Sequence, residues 1–327
     1  MDGDEDLQHA PVGRGGGPVP RRWTLHGLNN GLIFGATYHG VRTLPRPISY
    51  GIGHVGTWMA WRSMVQTRRA IAANLGPVFP GEAAAALERR ALDTLRSYAK
   101  DTIDFLRALA RPPRTADDIF EVLPPYRSLF RDLSARGRGV ILVTGHYGNW
   151  EIGTLLIRKG LGLPLTVVAM AEASPDVNRM RTRIRANLGA DTIEVRRSLD
   201  TALQIRRRLA GNQIVAMLID RHYGRDRVGV SLFGRPAWFL RTPLLMAHAT
   251  GAPVVPVFIE RTGTGRFTPR LADPIVVATD SSRDDAIQRA AQVVADALQA
   301  RIEAHPEFWY QFYRYWDAQR DAYDGLA

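Results

Sequence analysis

From residue 139 onward, short apolar runs alternate with segments that have helical periodicity. The apolar runs predict strands at 140–144, 165–170, 192–195 and 214–219, and the segments between them predict helices at 150–159, at 174–188 and up to residue 209. Strands that are joined by helices run parallel, and the helices cover both faces of the sheet. The sequence therefore predicts an α/β fold with a mostly parallel central sheet.

On either side of this region the pattern changes. After Asp220 we predict an irregular stretch to Phe239, and then a helix, a strand, an edge strand and a long helix at 243–250, 254–259, 267–271 and 283–303. Upstream, residues 82–110 have helical spacing, and Arg111-Pro112-Pro113 ends that run. An all-helical region is thus predicted to precede the α/β domain.

These patterns predict three regions. Residues 1–22 begin with an acidic cluster, contain several prolines and a glycine run, and are predicted to form a disordered tail rather than a signal peptide. Residues 23–113 are predicted to be a helical region, and residues 114–327 the α/β domain. At 327 residues the chain is long enough to bury a substantial core.

The helical region contains two moderately apolar segments, 25–41 and 48–61. Histidine, asparagine and glycine interrupt them, so neither supplies the roughly 18 apolar residues of a transmembrane helix. Aromatic and basic side chains in this region suit helices that lie in a membrane interface: Trp23, Tyr38, Trp58, Trp61, Arg62, Arg68 and Arg69. The same residues would equally suit amphipathic helices packed on the α/β domain, and both interpretations stay open.

The composition favours anionic partners. The formal net charge is +11, and such an excess is typical of proteins that meet phospholipid surfaces, acidic carrier proteins or nucleic acid. No nucleic-acid-binding module is recognisable, so we predict no nucleic-acid partner. The chain has no cysteine, which excludes disulfides, thiolate catalysis and thiolate metal sites.

Residues 145–151, Gly-His-Tyr-Gly-Asn-Trp-Glu, follow the first predicted strand directly. His146 is thereby placed on a strand-to-helix turn, and Glu151 in the first turn of the helix, with Asn149 as its cap. A carboxylate that orients a histidine makes a general base, and the bend of the chain would let Glu151 reach His146. Alternatively, His146 bonds a neighbouring carbonyl and Glu151 only stabilises the helix dipole.

The heptad resembles the signature of the bacterial lipid A biosynthesis acyltransferases, which share a His-x4-Asp/Glu motif with the glycerolipid acyltransferases. The mycobacterial phosphatidylinositol mannoside acyltransferases are similar. Further segments extend the resemblance over roughly 260 residues, namely residues 68–75 with 78–80, Leu218-Ile219-Asp220 with 232–236, 250–257 and 305–309. One departure concerns residues 170–176, which lack the expected Tyr-Arg-Pro and leave unassigned any arginine that steadies the acyl carbonyl.

The resemblance implies an O-acyltransferase in residues 114–327. It would move a fatty acyl chain from a thioester donor, an acyl carrier protein or acyl-CoA, to a hydroxyl of a membrane glycolipid or phospholipid, with a lipid A type acceptor favoured. The enzyme would lie at the cytoplasmic face of the bacterial inner membrane, against an anionic membrane surface. Two alternatives stay open: a lipid hydrolase that uses the same base, and a catalytically silent binding protein.

On this reading His146 is the base and Glu151 orients it. The amides of the Gly148-Asn149-Trp150 turn are predicted to stabilise the oxyanion, because they precede a helix N-terminus. Ligands of open α/β sheets bind beyond the carboxyl ends of strands, which makes substrate-binding candidates of Asp220, Arg221, Arg225 and Arg235. Asp220 is expected to hold a polar acceptor group or an arginine.

Three other motifs are discarded. Gly51-Ile-Gly-His-Val-Gly56 matches the dinucleotide fingerprint, but the residues before it contain two prolines and do not predict a buried strand. His222 and Asp226 lack the paired-histidine helix motif of a metal site. No Gly-x-Ser-x-Gly elbow is present. We therefore predict no metal and no cofactor.

Overall fold

The computed structural model describes residues 31–121, 124–170, 175–195, 199–280 and 282–324. The predicted disordered tail, 1–22, lies outside the described residues. The described chain begins with four helices: α1 Gly31–Thr43, α2 Arg46–Ser63, α3 Val65–Leu75 and α4 Ala84–Ala110. The first three all pack against α4, which ends just before Pro112, where a missing amide hydrogen cannot extend the helix.

The central sheet has six strands in the order β3-β2-β4-β1-β7-β8. They are β1 Val140–Thr144, β2 Leu165–Ala169, β3 Ala190–Glu194, β4 Ile214–Leu218, β7 Val254–Gly263 and β8 Arg266–Leu271. The first five in this spatial order run parallel, and only β8 is antiparallel to its neighbour. The prediction of an α/β fold with a mostly parallel sheet is confirmed.

Helices cover both faces of the sheet because its strands are apolar on both sides. On one face, α5 Pro124–Ala135 and the π-helix Leu156–Gly160 pack on Leu142, Leu165 and Ile214. On the other face lie α8 Leu199–Ala210, α9 Thr242–Thr250 and α10 Arg283–Ala304. The remaining helices are α6 Gly153–Leu155, α7 Pro175–Asn187 and α11 Tyr315–Asp324, and two 3-10 turns span Ala116–Asp118 and Pro306–Phe308.

Two local predictions were wrong. The stretch after Asp220 is not irregular throughout, because β5 Val228–Leu232 and β6 Arg235–Phe239 form an antiparallel hairpin. Its turn residues, Phe233 and Gly234, both have positive φ, which matches the twist of a two-residue hairpin loop. The helix predicted at 150–159 starts only at Gly153 and continues from Leu156 as a π-helix.

Of the motifs discarded above, the glycine pattern at 51–56 lies inside α2, where no strand precedes it. Among the described helices, none is both long enough and apolar enough to cross a membrane.

Candidate active site

The register of the sheet brings His146 next to Asp220. Strands β1 and β4 are parallel neighbours, and Thr144 lies opposite Leu218. Two residues further along each strand, His146 Nδ1 lies 2.7 Å from Asp220 Oδ1. The backbone N–H of His146 donates to the other carboxylate oxygen, Oδ2, at 2.8 Å. One carboxylate thus holds both the ring and the main chain of the histidine.

This arrangement selects one tautomer of the imidazole. An ionised carboxylate can only accept hydrogen bonds, so Nδ1 carries the proton and Nε2 keeps its lone pair. Burial, together with the charge of Arg221, holds the pKa of His146 below its ordinary value of 6.5, against the opposing effect of Asp220. The imidazole is therefore neutral at pH 7 and competent as a base.

Asp220 is ionised although it is almost completely buried. Burial alone would raise its pKa, but the interactions with His146 and Arg221 outweigh burial and hold the pKa below the ordinary value. A further donor is the side-chain amide of Gln311, whose Nε2 lies 2.7 Å from Oδ2. Sequence reasoning missed Gln311, because an isolated glutamine in a C-terminal aromatic cluster carries no motif.

Glu151 was predicted to hold the imidazole, but its carboxylate contacts two arginines instead. Its Oε1 accepts a hydrogen bond from Arg185 Nη2 at 2.9 Å, and Arg181 Nη1 lies 3.5 Å from the same oxygen. The charges of these two α7 arginines outweigh burial and hold the pKa of Glu151 below its ordinary value. The turn after β1 carries Glu151 toward α7, whereas the neighbouring strand delivers Asp220 to the ring.

The turn between His146 and Glu151 also differs from the predicted oxyanion site. The Gly148 amide donates to the Phe308 carbonyl at 2.9 Å, and the Asn149 amide donates to the Ile259 carbonyl at 2.9 Å. Both donors are thus already paired within the protein. The amide of Trp150 makes no such bond to a described residue. Asn149 is not the N-cap that was predicted, because the helix starts only at Gly153 and Ile152 is its N-cap. The Asn149 Oδ1 instead accepts from the Ile152 amide within the turn, at 3.4 Å.

A cavity of about 900 Å³ opens beside His146. Most of its lining is apolar, with Leu142, Val167 and Val257 on the sheet and Leu156 and Ile157 on the π-helix. Charged side chains line it as well, namely Glu151, Arg181, Arg185, Arg221 and Arg225, and the charges of Arg181 and Arg221 act on His146. No group of histidine and acidic side chains suited to a metal ion occurs among the described residues.

The predicted substrate-binding residues separate into two groups. Arg221 and Arg225 line the cavity, whereas Arg235 does not. Arg235 lies on the exposed side of β6, and its guanidinium stacks over the Trp316 ring at 5.7 Å. Asp220 contacts the imidazole and is therefore part of the histidine site.

The helical region and the turn after β1 are joined by a buried polar cluster. Asn149 Nδ2 donates to the Asp101 carbonyl in α4 at 2.9 Å. The Asp101 carboxylate in turn accepts from the Tyr310 hydroxyl and from Arg261, which also binds Asp104 at 3.0 Å. Sequence reasoning did not find Asp101 or Arg261, because nothing along the chain shows that α4 packs against this turn.

Comparison with known proteins agrees with the resemblance drawn from the motifs. A family model described as bacterial lipid A biosynthesis acyltransferase matches residues 22–318. The chain is 27% identical over 303 residues to a phosphatidylinositol mannoside acyltransferase of Mycolicibacterium smegmatis, which covers 91% of this chain and 94% of the relative. A protein of the same name from Mycobacterium tuberculosis H37Rv is 25% identical over 183 residues, 56% of each chain.

The family match includes the turn with His146, the strand end with Asp220 and the segment with Gln311. Because it spans most of the chain, this protein belongs to the bacterial lipid A biosynthesis acyltransferase family and is an acyltransferase.

Proposed function

We propose that the enzyme transfers a fatty acyl chain directly from a thioester to a hydroxyl of a membrane glycolipid. The observation that supports this most is the His146–Asp220 pair beside a cavity that is lined mostly by apolar side chains. Nε2 of His146 takes the proton of the acceptor hydroxyl as its oxygen attacks the thioester carbonyl carbon. The C–S bond then breaks, and the imidazolium returns the proton to the departing thiolate.

A thioester is already activated, so the protein needs to supply only a base, alignment and stabilisation of the oxyanion. Two donors are candidates for the oxyanion: the backbone amide of Trp150 and the guanidinium of Arg181. Both residues line the cavity, and the charge of Arg181 acts on His146. Glu151 then serves the reaction by holding Arg181 and Arg185 at the cavity wall.

The apolar and the charged side chains that line the cavity suit the two parts of an acyl donor. The apolar walls fit a hydrocarbon chain, and the arginines near His146 fit phosphate, which guanidinium binds through two parallel hydrogen bonds. Both donor types, acyl carrier protein and acyl-CoA, carry a phosphopantetheine. As acceptor we favour a phosphatidylinositol mannoside over a lipid A precursor, because that is the named substrate of both relatives.

The described part of the predicted membrane-interface region, 23–113, is residues 31–113. We propose that residues 31–75 of it contact an anionic lipid surface, at the cytoplasmic face of the inner membrane. Helix α2 exposes five large apolar side chains, Ile48, Ile52, Val55, Trp58 and Met59, each at least 49% exposed. On its packed side, Ser49 and Thr57 are buried, Tyr50 and Trp61 are partly buried against the core, and Gly53 approaches Ile103 of α4.

The charges of this region fit the same partner. No acidic residue occurs between Asp6 and Glu82, and the arginines of α1, α2 and α3 are Arg42, Arg46, Arg62, Arg68 and Arg69. Arg62 stacks over Trp58 at 5.3 Å, which places a cation beside an exposed aromatic ring. Basic and aromatic side chains around an apolar stripe are typical of helices that lie in a membrane interface.

Transfer is tested with purified protein, labelled acyl carrier protein or acyl-CoA, and separate phosphatidylinositol mannoside and lipid A precursor acceptors. Label in a lipid supports the proposal and identifies both substrates. Label in free fatty acid would indicate the hydrolase instead, and unchanged donor in every arm would indicate a silent binding protein. His146→Ala is expected to abolish transfer while its melting temperature stays close to that of the wild type.

Membrane contact is tested by co-sedimentation with vesicles of anionic or of purely zwitterionic lipid. The triple variant Ile52→Ser, Val55→Ser, Met59→Ser is expected to lose binding to anionic vesicles. A matched control, Val276→Ser with Val293→Ser, removes exposed apolar side chains elsewhere and should bind as the wild type does. Equal binding of the triple variant and the wild type would contradict the assignment of this surface.

A further inference from the structure

Gln311 occupies an unusual position for a side chain that belongs to no motif. It is 1% exposed, and both ends of its amide are engaged. Nε2 donates to Asp220 Oδ2 at 2.7 Å. Oε1 accepts from Arg221, from Nε at 3.1 Å and from Nη2 at 2.8 Å. A single amide therefore links the charge of Arg221 to the carboxylate that holds the imidazole.

Backbone hydrogen bonds attach the segment around Gln311 to the turn after β1, residues 145–151. The Tyr310 amide donates to the His146 carbonyl at 2.7 Å, and the Phe308 carbonyl accepts from Gly148 at 2.9 Å. One residue beyond Tyr310, the Gln311 side chain is thereby delivered to Asp220. The orientation of its amide is set as well, because Arg221 can only donate and an ionised Asp220 can only accept.

We propose that Gln311 is a positioning residue of the reaction, which holds the Asp220 carboxylate so that the imidazole of His146 stays neutral and aimed at the acceptor hydroxyl. The inference rests on the proposed function of His146 as the base. It assigns to Gln311 two effects: it fixes which oxygen of Asp220 faces Nδ1, and it keeps the guanidinium of Arg221 close to the pair.

Both effects lower the affinity of His146 for a proton. The hydrogen bond from Gln311 withdraws negative charge from Asp220, and the retained Arg221 repels a proton on the ring. Without Gln311 the pKa of His146 should therefore rise. The other titratable or charged groups around the pair are Glu151, Arg181, Arg185, Arg225, Tyr98, Tyr310 and Tyr315.

The test compares Gln311→Met with Gln311→Glu. Methionine keeps the length of the side chain but removes both polar ends. Glutamate can still accept from Arg221, but it has no N–H for Asp220. The matched control is Gln319→Met, since Gln319 is 2% exposed and accepts from the Trp238 amide, away from Asp220. All three variants lose a buried hydrogen bond, so a loss of thermal stability alone does not distinguish them.

The first readout is histidine NMR with labelled imidazole, which assigns the signal of His146 among eight histidines by its absence in His146→Ala. We expect the pKa of His146 to rise by about 0.5 to 1 unit in Gln311→Met, the size of one lost hydrogen bond, and more in Gln311→Glu. Gln319→Met should titrate as the wild type does. This titration needs no activity, so it tests Gln311 even if the proposed function is wrong.

The second readout is the pH profile of kcat/KM for acyl transfer. The acid limb should move to higher pH in both Gln311 variants, and kcat should fall about tenfold with little change in KM, as for loss of alignment. A folded Gln311 variant with the wild-type pKa of His146 would overturn the proposal. So would unfolding of both variants where Gln319→Met stays folded, because the amide would then be structural only.

Discussion

At the scale of single residues, the two carboxylates near His146 have different tasks. Asp220 contacts the imidazole, and Glu151 contacts two arginines. The sequence predicted correctly that His146 lies in the turn after a strand, since its motif follows an apolar run. It could not show which acid reaches the ring, because that depends on β1 and β4 being neighbours, and strand order is not written in the local sequence.

These different tasks predict different kinetic defects. Asp220→Asn removes the anion that selects the tautomer, and kcat should fall by about 10² to 10⁴. Glu151→Gln leaves the imidazole and Asp220 in place but loosens Arg181 and Arg185, so we expect a smaller fall in kcat, about tenfold, together with a rise in KM for the acyl donor. Steady-state kinetics with both substrates varied would measure this. An equal loss of kcat in both variants would show that Glu151 acts on the histidine after all.

The lowered pKa of His146 predicts the pH range of activity. Transfer needs the neutral imidazole, so kcat/KM should be constant around pH 7 and fall with decreasing pH, with its midpoint below 6.5. In this window Asp220 and Glu151 stay ionised, because their pKa values lie below the ordinary ones. A midpoint above 6.5 would contradict the environment described for the ring.

Stability should change with pH in the same direction. The unfolded chain binds a proton at His146 more readily than the folded one does, so this group stabilises the fold less as pH falls below 6.5. The kinetic profile is therefore measured at a temperature well below the melting transition at every pH. The melting temperature at each pH, followed by circular dichroism, provides the control.

At the scale of elements, the turn after β1 depends on close backbone contact. Gly148 has a φ of +59°, and a Cβ built on it would lie 2.1 Å from the Ile259 carbonyl oxygen of β7. Neither the positive φ nor the close contact is compatible with a side chain. The sequence predicted a turn here, but it could not reveal the contact with β7, which is more than 100 residues away.

Gly148→Ala is therefore expected to be strongly destabilising, by about 2 kcal/mol or more, and inactive. Gly162→Ala is the matched control, because Gly162 also has a positive φ, +70°, but nothing lies within 4 Å of a Cβ there. It should cost about 1 kcal/mol and leave transfer intact. Urea denaturation with parallel activity assays compares the two, and a Gly148→Ala protein as stable as the control would be incompatible with the contact.

Two other elements show why local pattern was insufficient. Leu156–Gly160 has the apolar spacing of a helix, but that spacing does not distinguish an α-helix from the π-helix found there, which lines the cavity with Leu156 and Ile157. The hairpin β5–β6 was missed because its strands are short, only two residues separate them, and they lie in a stretch, 221–239, that contains four arginines and three glycines. Its stabilising contacts come from α10, far along the chain.

At the scale of the whole molecule, the helical region and the α/β domain are joined through charges. Arg261 of β7 binds Asp101 and Asp104 of α4, and Tyr50 of α2 donates to Asp104. Burial raises the pKa of Asp104 to about 6. The boundary predicted at residue 113 separates two kinds of secondary structure, yet this cluster crosses it. We propose that the boundary marks a change in composition rather than a site where the chain divides into independent units.

Arg261→Met should be costly for this reason. It leaves the buried Asp101 carboxylate without its cation, while Asp104 retains its ion pair with Arg46 at 3.2 Å, and we expect the free energy of unfolding to fall by about 3 kcal/mol. Arg270→Met is the control on the neighbouring strand: Arg270 is half-exposed, and its partner Glu260 keeps Arg301, so the expected loss is below about 1 kcal/mol. Chemical denaturation measures both, and equal losses would show that the cluster adds little.

The hydrogen bond between Asn149 and the Asp101 carbonyl has a practical consequence for the design of a more soluble variant of the enzyme. Deletion of helices α1 to α4 would remove this hydrogen bond from the turn that carries His146. Exposed apolar side chains on the outward side of α2 should therefore be replaced singly, with α4 kept intact.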